Sequence, residues 1–275
     1  MRKRLPRFSA AGAGSLVLAL SSYACTGTEG DLLRSTADAQ APADAQAPAL
    51  ASWQIQLTGP IDTSIAVPRY TVDIDTPRAA IDELHGAGRT VICHFSAGTR
   101  EPFRRDAAQF PASAVGSPLQ NYPTENWIDI RDATVRSIIG ARISGAVGAG
   151  CDGIHPSNLF AFEEQSGFPL TLADQLDYNR WLAGVGHMLG LSVGLVDGDG
   201  TLGQNLVSDF DWAVVWGCIA TQCQPASPFL QAGKPVFLVE TGDASLVPDV
   251  CPAAKSLGIS AIIKNRSLDA FRIGC

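Results

Sequence analysis

The chain has 275 residues, a formal net charge of −7 at pH 7 and a hydrophobic content of 46%. Nucleic-acid binding needs a basic surface, so the acidic balance argues against it, although it allows attraction of a cationic ligand. Acidity also serves solubility alone, and charge by itself identifies no ligand.

The first 25 residues have the pattern of an export signal. Four basic residues precede an apolar run at 10–20, which is too short to span a bilayer. The run ends at Cys25, preceded by a small residue as in lipoprotein signals. We expect an exported protein lipidated at Cys25 and attached to a membrane only through that lipid. Ordinary cleavage near Ala24, which leaves a secreted protein with a spare thiol, is the alternative.

Residues 26–50 predict a disordered linker. The hexapeptide ADAQAP occurs at 37–42 and again at 43–48, and such a composition buries too little apolar surface to offset the entropy of ordering. Residues 51–275 then form one domain of barrel size.

Short apolar runs alternate with helical stretches along this domain, which favours parallel strands joined by crossover helices. The predicted strands are Gln54–Leu57, Tyr70–Ile74, Thr90–Phe95, Trp127–Ile130, Gly153–His155, Ser192–Val196, Ala213–Trp216, Val236–Glu240 and Ala261–Lys264. The predicted helices are Pro77–Ala87, Ala133–Gly148, Leu172–Leu189 and Pro248–Leu257.

The strand pattern predicts an α/β fold, a single-domain (β/α)8 barrel of the TIM type. Nine candidate strands exceed the eight of such a barrel, and the short strand Trp127–Ile130 is our choice for an accessory strand. The periodicity alone does not exclude a doubly wound open sheet.

Polar residues cluster where the strands end, and strand carboxyl ends form the active-site face of a β/α barrel. The pattern therefore predicts a polar cleft there. These residues are Asp73, Asp75, His94, Ser96, Asp129, Arg131, His155, Ser157, Asp197, Asp199, Glu240 and Lys264.

The cysteines suggest disulfides, because an exported protein meets an oxidising compartment. We expect Cys218 to pair with Cys223, and Cys251 with Cys275. Cys93 and Cys151 lie in apolar runs, where a buried free thiol is the usual reading.

No phosphate loop, dinucleotide fingerprint or metalloprotease helix occurs, so we expect neither cofactor nor metal. His85 and His187 precede glycines at helix ends and are interpreted as interacting with the helix dipole. Ser96 lacks the strained-turn context of a hydrolase nucleophile, and we interpret it as a hydrogen-bonding pocket residue.

Several segments from residue 53 to the end share their order and spacing with a known family. They are Trp53–Leu57 with Asp62; Tyr70 with Asp73; Val91–Gly98 with Glu101, Arg104 and Asp106; Trp127 with Asp129 and Arg131; Gly167–Thr171 with Asp174 and Tyr178–Leu182; Cys218 and Cys223; and Gly233–Lys234 with Glu240. In these the chain resembles glycoside hydrolase family 114, the polygalactosaminidase-like enzymes.

The resemblance implies a β/α barrel and endo-cleavage of α-1,4-linked galactosamine polymers, which are cationic when partly deacetylated. We expect such an amino-sugar polysaccharide as the partner of a monomeric protein. Glycoside hydrolysis needs two carboxyl groups flanking the scissile bond, roughly 5–10 Å apart, one of them kept protonated by its surroundings.

The chain departs from the family where those acids are expected. The family has an acidic residue, Pro, Asp and Asn after the Asp-Gly of one strand, whereas this chain has His155, Pro156, Ser157 and Asn158. Trp216 replaces a family Glu, and Val196–Asp197 replaces a Lys-Asn pair. Ordinary family catalysis should therefore fail.

Three hypotheses follow. The first is a degenerate barrel that binds the polysaccharide through Trp53, Asp73, Ser96, Glu101, Arg104, Asp129, Arg131, Asn158 and Trp216. The second is an active glycosidase whose acids have moved to Asp197, Asp199 or Glu240, with His155 assisting. The third is a surface interaction protein with an unused cleft. Asp197 and Asp199 also fit a simple turn, and Glu240 fits an ion pair with Lys264.

Overall fold

A computed structural model describes residues 50–196 and 200–275. The predicted signal at 1–25 with Cys25, the linker up to residue 49, and both Asp197 and Asp199 lie outside the described residues. The expectations for those segments stay predictions.

The described chain contains twelve strands and six α-helices. The strands are β1 (Trp53–Gln56), β2 (Arg69–Asp73), β3 (Thr90–Ser96), β4 (Thr99–Arg100), β5 (Val115–Pro118), β6 (Asn126–Ile128), β7 (Gly153–Ser157), β8 (Ser192–Val196), β9 (Trp212–Trp216), β10 (Val236–Thr241), β11 (Ser260–Lys264) and β12 (Ile273–Gly274). The helices are α1 (Arg78–Gly86), α2 (Ala133–Ala149), α3 (Leu172–Met188), α4 (Gly200–Leu206), α5 (Ser227–Gln231) and α6 (Val247–Leu257). None of these helices is long and apolar enough to cross a membrane.

Nine strands form one sheet in the order β1-β2-β3-β7-β8-β9-β10-β11-β12. The first eight are parallel neighbours, and only β12 runs antiparallel, against β11. The order never reverses along the chain, as it would in a doubly wound sheet. The predicted TIM-type barrel is therefore confirmed for the described residues.

The C-terminal segment bridges the seam between β11 and β1, which do not pair in a ladder. Leu57 N donates to Leu268 O at 2.8 Å, and Arg272 Nε donates to Trp53 O at 2.6 Å. The Lys264 ammonium, fully buried, donates to the Gln54 side chain at 3.2 Å. These bonds nearly close the sheet into a barrel.

Alternate side chains of the barrel strands fill two cores. Those pointing inward, such as Trp53, Ile92, Trp212 and Phe237, form one apolar cluster, and those pointing outward pack beneath the helices. Gly194 makes room for the inner cluster, because a Cβ there would lie 2.0 Å from the Trp212 ring.

The accessory strand is confirmed. The segment predicted at Trp127–Ile130 is β6, the centre of a separate sheet in the order β4-β6-β5. Both partners of β6 are antiparallel and short, and neither shows a continuous apolar run in the sequence. This small sheet sits in the connection between β3 and α2, above a barrel strand end.

Local signals in the sequence fix the longer helices. Asp132 caps α2 by accepting from Thr134 N and Val135 N, and Thr171 with Asp174 forms a capping box at α3. Gly150, at φ 92°, ends α2 in the left-handed conformation that glycine adopts most easily.

His85 and His187 lie in the last turns of α1 and α3, as predicted. Each Nε2 lies 2.9 Å from an aspartate oxygen, that of Asp152 or Asp211. The same two carboxylates accept from Val91 N and Val193 N. Each histidine therefore also links a helix end to the start of the neighbouring strands.

The six cysteines among the described residues form three disulfides. Cys218–Cys223 and Cys251–Cys275 are confirmed, with Cα separations of 4.6 and 4.9 Å. The expectation of free thiols at Cys93 and Cys151 is wrong, because these two are bonded. Cys93 points outward from β3, toward the segment that joins α2 to β7, where Cys151 lies.

Removing the Cys93–Cys151 bond should destabilise the protein more than removing Cys218–Cys223. The first closes a loop with a sequence separation of 58 and the second one of 5. Loop-closure entropy then gives losses of about 4 and about 2 kcal/mol. Urea unfolding of the two double Cys→Ala variants measures this difference, and equal losses would contradict the loop-length argument.

Candidate functional site

A cleft of about 960 Å³ opens at the carboxyl ends of the barrel strands. Side chains from β2, β3, β7, β8, β9 and β10 line it together with loop residues. The lining residues are Leu57, Thr58, Asp73, His94, Ser96, Glu101, Phe103, Asn121, Tyr122, Glu125, His155, Ser157, Asn158, Phe160, Val196, Trp216, Thr241, Arg266, Ser267 and Leu268.

The guanidinium of Arg104 organises one wall of the cleft. It donates to both oxygens of Asp73 at 2.7 Å, to both oxygens of Glu101 at 2.9 and 3.1 Å, and to Asp75 at 2.7 Å. All five of its N–H groups are thereby used. The side chain of Arg104 is only 4% exposed, so these bonds hold it in place away from solvent.

A second arginine supports the same wall from α2. Arg142 donates to both oxygens of Asp106 at 2.7 and 2.8 Å, to Ser96 O at 2.7 Å and to Glu101 at 3.3 Å. The carboxylate of Glu101 is therefore shared by two buried arginines.

Ion pairing sets the protonation state of this wall. Burial opposes ionisation of Asp73, but the hydrogen bonds and charge of Arg104 outweigh it and lower the pKa of that carboxyl. Burial likewise opposes the charge of Arg104, and its bonds to Asp73 and Glu101 raise the pKa of the guanidinium. Asp73 is therefore a firmly ionised group, unsuited to donate a proton.

Two neutral histidines form the floor. The rings of His94 and His155 lie edge to face, with centroids 5.1 Å apart. Burial lowers the pKa of both imidazoles, and for His155 His94 and Arg69 lower it further. Among the described residues, neither nitrogen of the fully buried His155 has a hydrogen-bond partner, and the Nδ1 atom of His94 has none either.

A chain of hydrogen bonds crosses the cleft from β7 to the accessory sheet. Asn158 Nδ2 donates to Ser96 Oγ at 2.8 Å, the Ser96 and Thr99 hydroxyls lie 2.5 Å apart, and Thr99 Oγ1 donates to Glu125 Oε2 at 3.0 Å. Asn158 is in the left-handed region at φ 61°. Gly98 allows this approach, because a Cβ there would lie 1.7 Å from Asn158 O.

Glu125 is a cleft carboxyl that the sequence did not predict. Burial and the nearby charge of Glu101 raise its pKa. It lies in the loop between β5 and β6, where Glu125 N donates to Tyr122 O at 2.9 Å. This loop does not follow a strand of the barrel, so the pattern of polar residues at strand ends does not include Glu125. Its position just before Trp127 and the accessory strand is the one sequence feature that could have suggested it.

Trp216 lies on the inner side of the end of β9 and packs partly against the inner apolar cluster. Gly217 follows it at φ 57°, and the Cys218–Cys223 disulfide follows at once. The turn and the bridge fix the chain just beyond the tryptophan, so its ring has a defined place in the cleft.

The structure brings most of the predicted site residues together. Arg104 lies directly behind the wall and contacts two of them. Those that line the cleft are Asp73, Ser96, Glu101, His155, Asn158 and Trp216.

Two predicted site residues lie away from the cleft lining. Trp53 points into the barrel, is 1% exposed and packs 5.1 Å from the Phe237 ring, so it does not line the cleft. Glu240 pairs in register with Ile263 of the outer core, and its Oε1 accepts from Ile219 N at 3.1 Å. Strand alternation points Thr241, and not Glu240, into the cleft.

Asp129 and Arg131 also lie apart from the lining residues. They pair with each other at 2.8 Å in the loop that leads into α2. Their predicted binding role stays a prediction, and the structure shows only this local ion pair. Within the described ranges, no group of three or more His, Cys, Asp or Glu side chains is arranged to hold a metal ion.

Comparison with known proteins identifies the barrel. A structure of Aspergillus fumigatus Ega3 in complex with galactosamine is 33% identical over 84% of this chain and 97% of that chain, with a TM-score of 0.79. The glycoside hydrolase domain of Pseudomonas aeruginosa PelA is 13% identical over 82% of this chain and 98% of that domain, with a TM-score of 0.64, a likeness of fold.

A comparison with curated protein sequences finds no match. The sequence model of Glycoside-hydrolase family GH114 matches residues 34–275. With the barrel topology and the cleft at its strand ends, this match leads to one conclusion: the chain belongs to glycoside hydrolase family GH114.

Proposed function

We propose that the protein is exported and that its cleft binds a galactosamine-type polysaccharide without hydrolysing it. One observation carries the proposal. The three positions where the family resemblance calls for acids all line a single cleft, and they hold His155, Ser157 and Trp216. The cleft is thus retained while the groups for proton transfer and charge stabilisation are replaced.

The arginine-bound carboxylates of the cleft do not make up this loss. Glycoside hydrolysis needs one carboxyl group that gives a proton and a second that acts on the opposite face of the sugar. Asp73 and Glu101 are bound by arginines through both oxygens. In the second hypothesis the catalytic acids have moved to other positions, one of which is Glu240. Glu240 does not support it, because its carboxylate lies outside the cleft.

Aromatic groups at the cleft support binding to a polymer. Phe103 and Tyr122 line the cleft and are 67% and 62% exposed, so their rings are open to a ligand. Trp216 lies deeper, at the end of β9. Flat aromatic faces at several depths offer stacking surfaces for successive sugar units.

The floor supports a polar ligand. Buried polar atoms without a protein partner are rare in native proteins, and His155 has two, at the base of the cleft. Neutral imidazoles can both donate to and accept from sugar hydroxyls.

The class of sugar and the compartment are supported separately. The Ega3 structure contains galactosamine, and the acidic chain would attract a cationic amino-sugar polymer. Three disulfides among the described residues fit an oxidising compartment. Lipidation at Cys25, attachment through that lipid and a monomeric state are parts of the same proposal.

The wild-type protein should bind partly deacetylated galactosamine polymer and release no new reducing ends from it. Co-sedimentation measures the bound fraction, and a reducing-end assay of the same samples measures cleavage. Turnover of about 1 per second or more, a rate typical of enzymes, would refute the loss of hydrolysis. Absence of binding would favour the unused cleft of the third hypothesis.

Trp216→Ala should weaken polymer binding roughly tenfold, because one stacking surface is lost. Trp181→Ala is the matched control, since Trp181 packs on Tyr178 of α3 and does not line the cleft. Affinity is measured by calorimetry, with circular dichroism to check the fold. Unchanged binding by Trp216→Ala would assign this tryptophan to filling the cleft.

Ser157→Asp combined with Trp216→Glu should restore at most slow cleavage of the polymer. The two carboxyl groups would return, but their neighbours would not be arranged to set pKa and orientation. Each single variant is the control, and the reducing-end assay is the readout. Recovery of full enzymatic rates would show that only these two groups are missing.

A further inference from the structure

Glu125 differs from the other carboxylates that line the cleft among the described residues. Asp73 and Glu101 are each bound by arginine through both oxygens. Glu125 has no Lys, Arg or His within ion-pair distance in the described part of the chain, where its side chain accepts one hydrogen bond, from Thr99 to Oε2. Its Oε1 atom is left without a bonding partner there.

The carboxylate is nevertheless held firmly. The Asn158–Ser96–Thr99 hydrogen-bond chain reaches its Oε2 atom from below. Glu125 N donates to Tyr122 O and Glu125 O accepts from Leu119 N, both at 2.9 Å, so the backbone of Glu125 is fixed on both sides. A positioned acceptor with one open oxygen is what recognition of a hydrogen-bonding cation requires.

The charges around Glu125 favour a cationic ligand group. Arg104 and Arg142 are near enough to influence it, yet their N–H groups bind other acceptors, and Glu101 adds further negative charge. The buried histidines of the floor are neutral, since burial lowers their pKa. No protein cation among the described residues therefore neutralises Glu125 by direct contact.

We propose that Glu125 binds the free ammonium group of an amino sugar and so makes the cleft selective for deacetylated over N-acetylated polymer. This inference rests on the proposed function and adds the residue that determines specificity. An N-acetyl group carries no charge, keeps one N–H donor where the ammonium has three, and adds an acetyl group, so it would bind the carboxylate more weakly.

Calorimetry of the full chain with two probes tests this near neutral pH: a galactosamine oligosaccharide and the same oligosaccharide after complete N-acetylation. Glu125→Gln keeps the shape of the side chain and removes its charge. We expect it to lower affinity for the amine form roughly tenfold, the size of one charge-assisted hydrogen bond, and to leave affinity for the acetylated form unchanged.

Asp249→Asn is the matched control, because it makes the same change in net charge on the exposed start of α6, outside the cleft. It should retain the wild-type preference. Salt should reduce the preference of the wild type more than that of Glu125→Gln. Thermal unfolding of the variants checks that the fold is intact.

The outcomes separate this inference from the proposed function. Equal wild-type affinity for both oligosaccharides, or an unchanged preference in Glu125→Gln, would overturn the role of Glu125 while polysaccharide binding stands. An equal loss for both forms would also overturn it and make Glu125 a structural residue. Binding of neither form by the wild type would contradict the proposed function and this inference together.

Discussion

The cleft depends on one buried guanidinium. Arg104 uses all five donors to tie the end of β2 to the loop after β4, through Asp73, Asp75 and Glu101. Taking these charges out of water is unfavourable, and the network contributes modest net stability. Losing one partner would leave a buried charge unpaired, typically at about 3–5 kcal/mol. The Arg104 network therefore fixes the geometry of the cleft wall more than it stabilises the fold.

The same constraint explains what the cleft can do chemically. Arg104 keeps Asp73 ionised and holds both Asp73 and Glu101 in place, which suits a binding wall and leaves Asp73 unsuited to act as a general acid. Trp216 and the neutral His155 then offer a stacking face and hydrogen-bonding atoms where the family resemblance calls for acids. Glu125 keeps an open oxygen because the arginines are already engaged, and the proposed charge selectivity depends on that oxygen.

Strand periodicity and the family resemblance together were enough to predict the barrel, its accessory strand and much of the cleft, since residues at strand ends such as Asp73 and His155 converge in any β/α barrel. Periodicity could not predict which face of the sheet a side chain points to at the end of a strand. Glu240 points outward and Thr241 inward, a difference of one residue. The Cys93–Cys151 bond was missed for a related reason, because a continuous apolar run hides which side faces the helices.

The loop residues of the cleft were the second feature that the sequence pattern could not predict. Phe103, Tyr122 and Glu125 reach the cleft from connections whose paths no periodic pattern fixes. Their positions depend on backbone turns and on the small antiparallel sheet, whose short strands β4 and β5 carry little apolar signal.

A crystal of the wild-type protein exposed for a long period to a galactosamine oligosaccharide tests the central claim most directly. If the cleft is retained and hydrolysis is lost, the crystal should contain an intact oligosaccharide along the strand carboxyl ends, with a sugar face against Trp216. Cleaved fragments in the cleft, or an oligosaccharide bound elsewhere on the barrel, would contradict it.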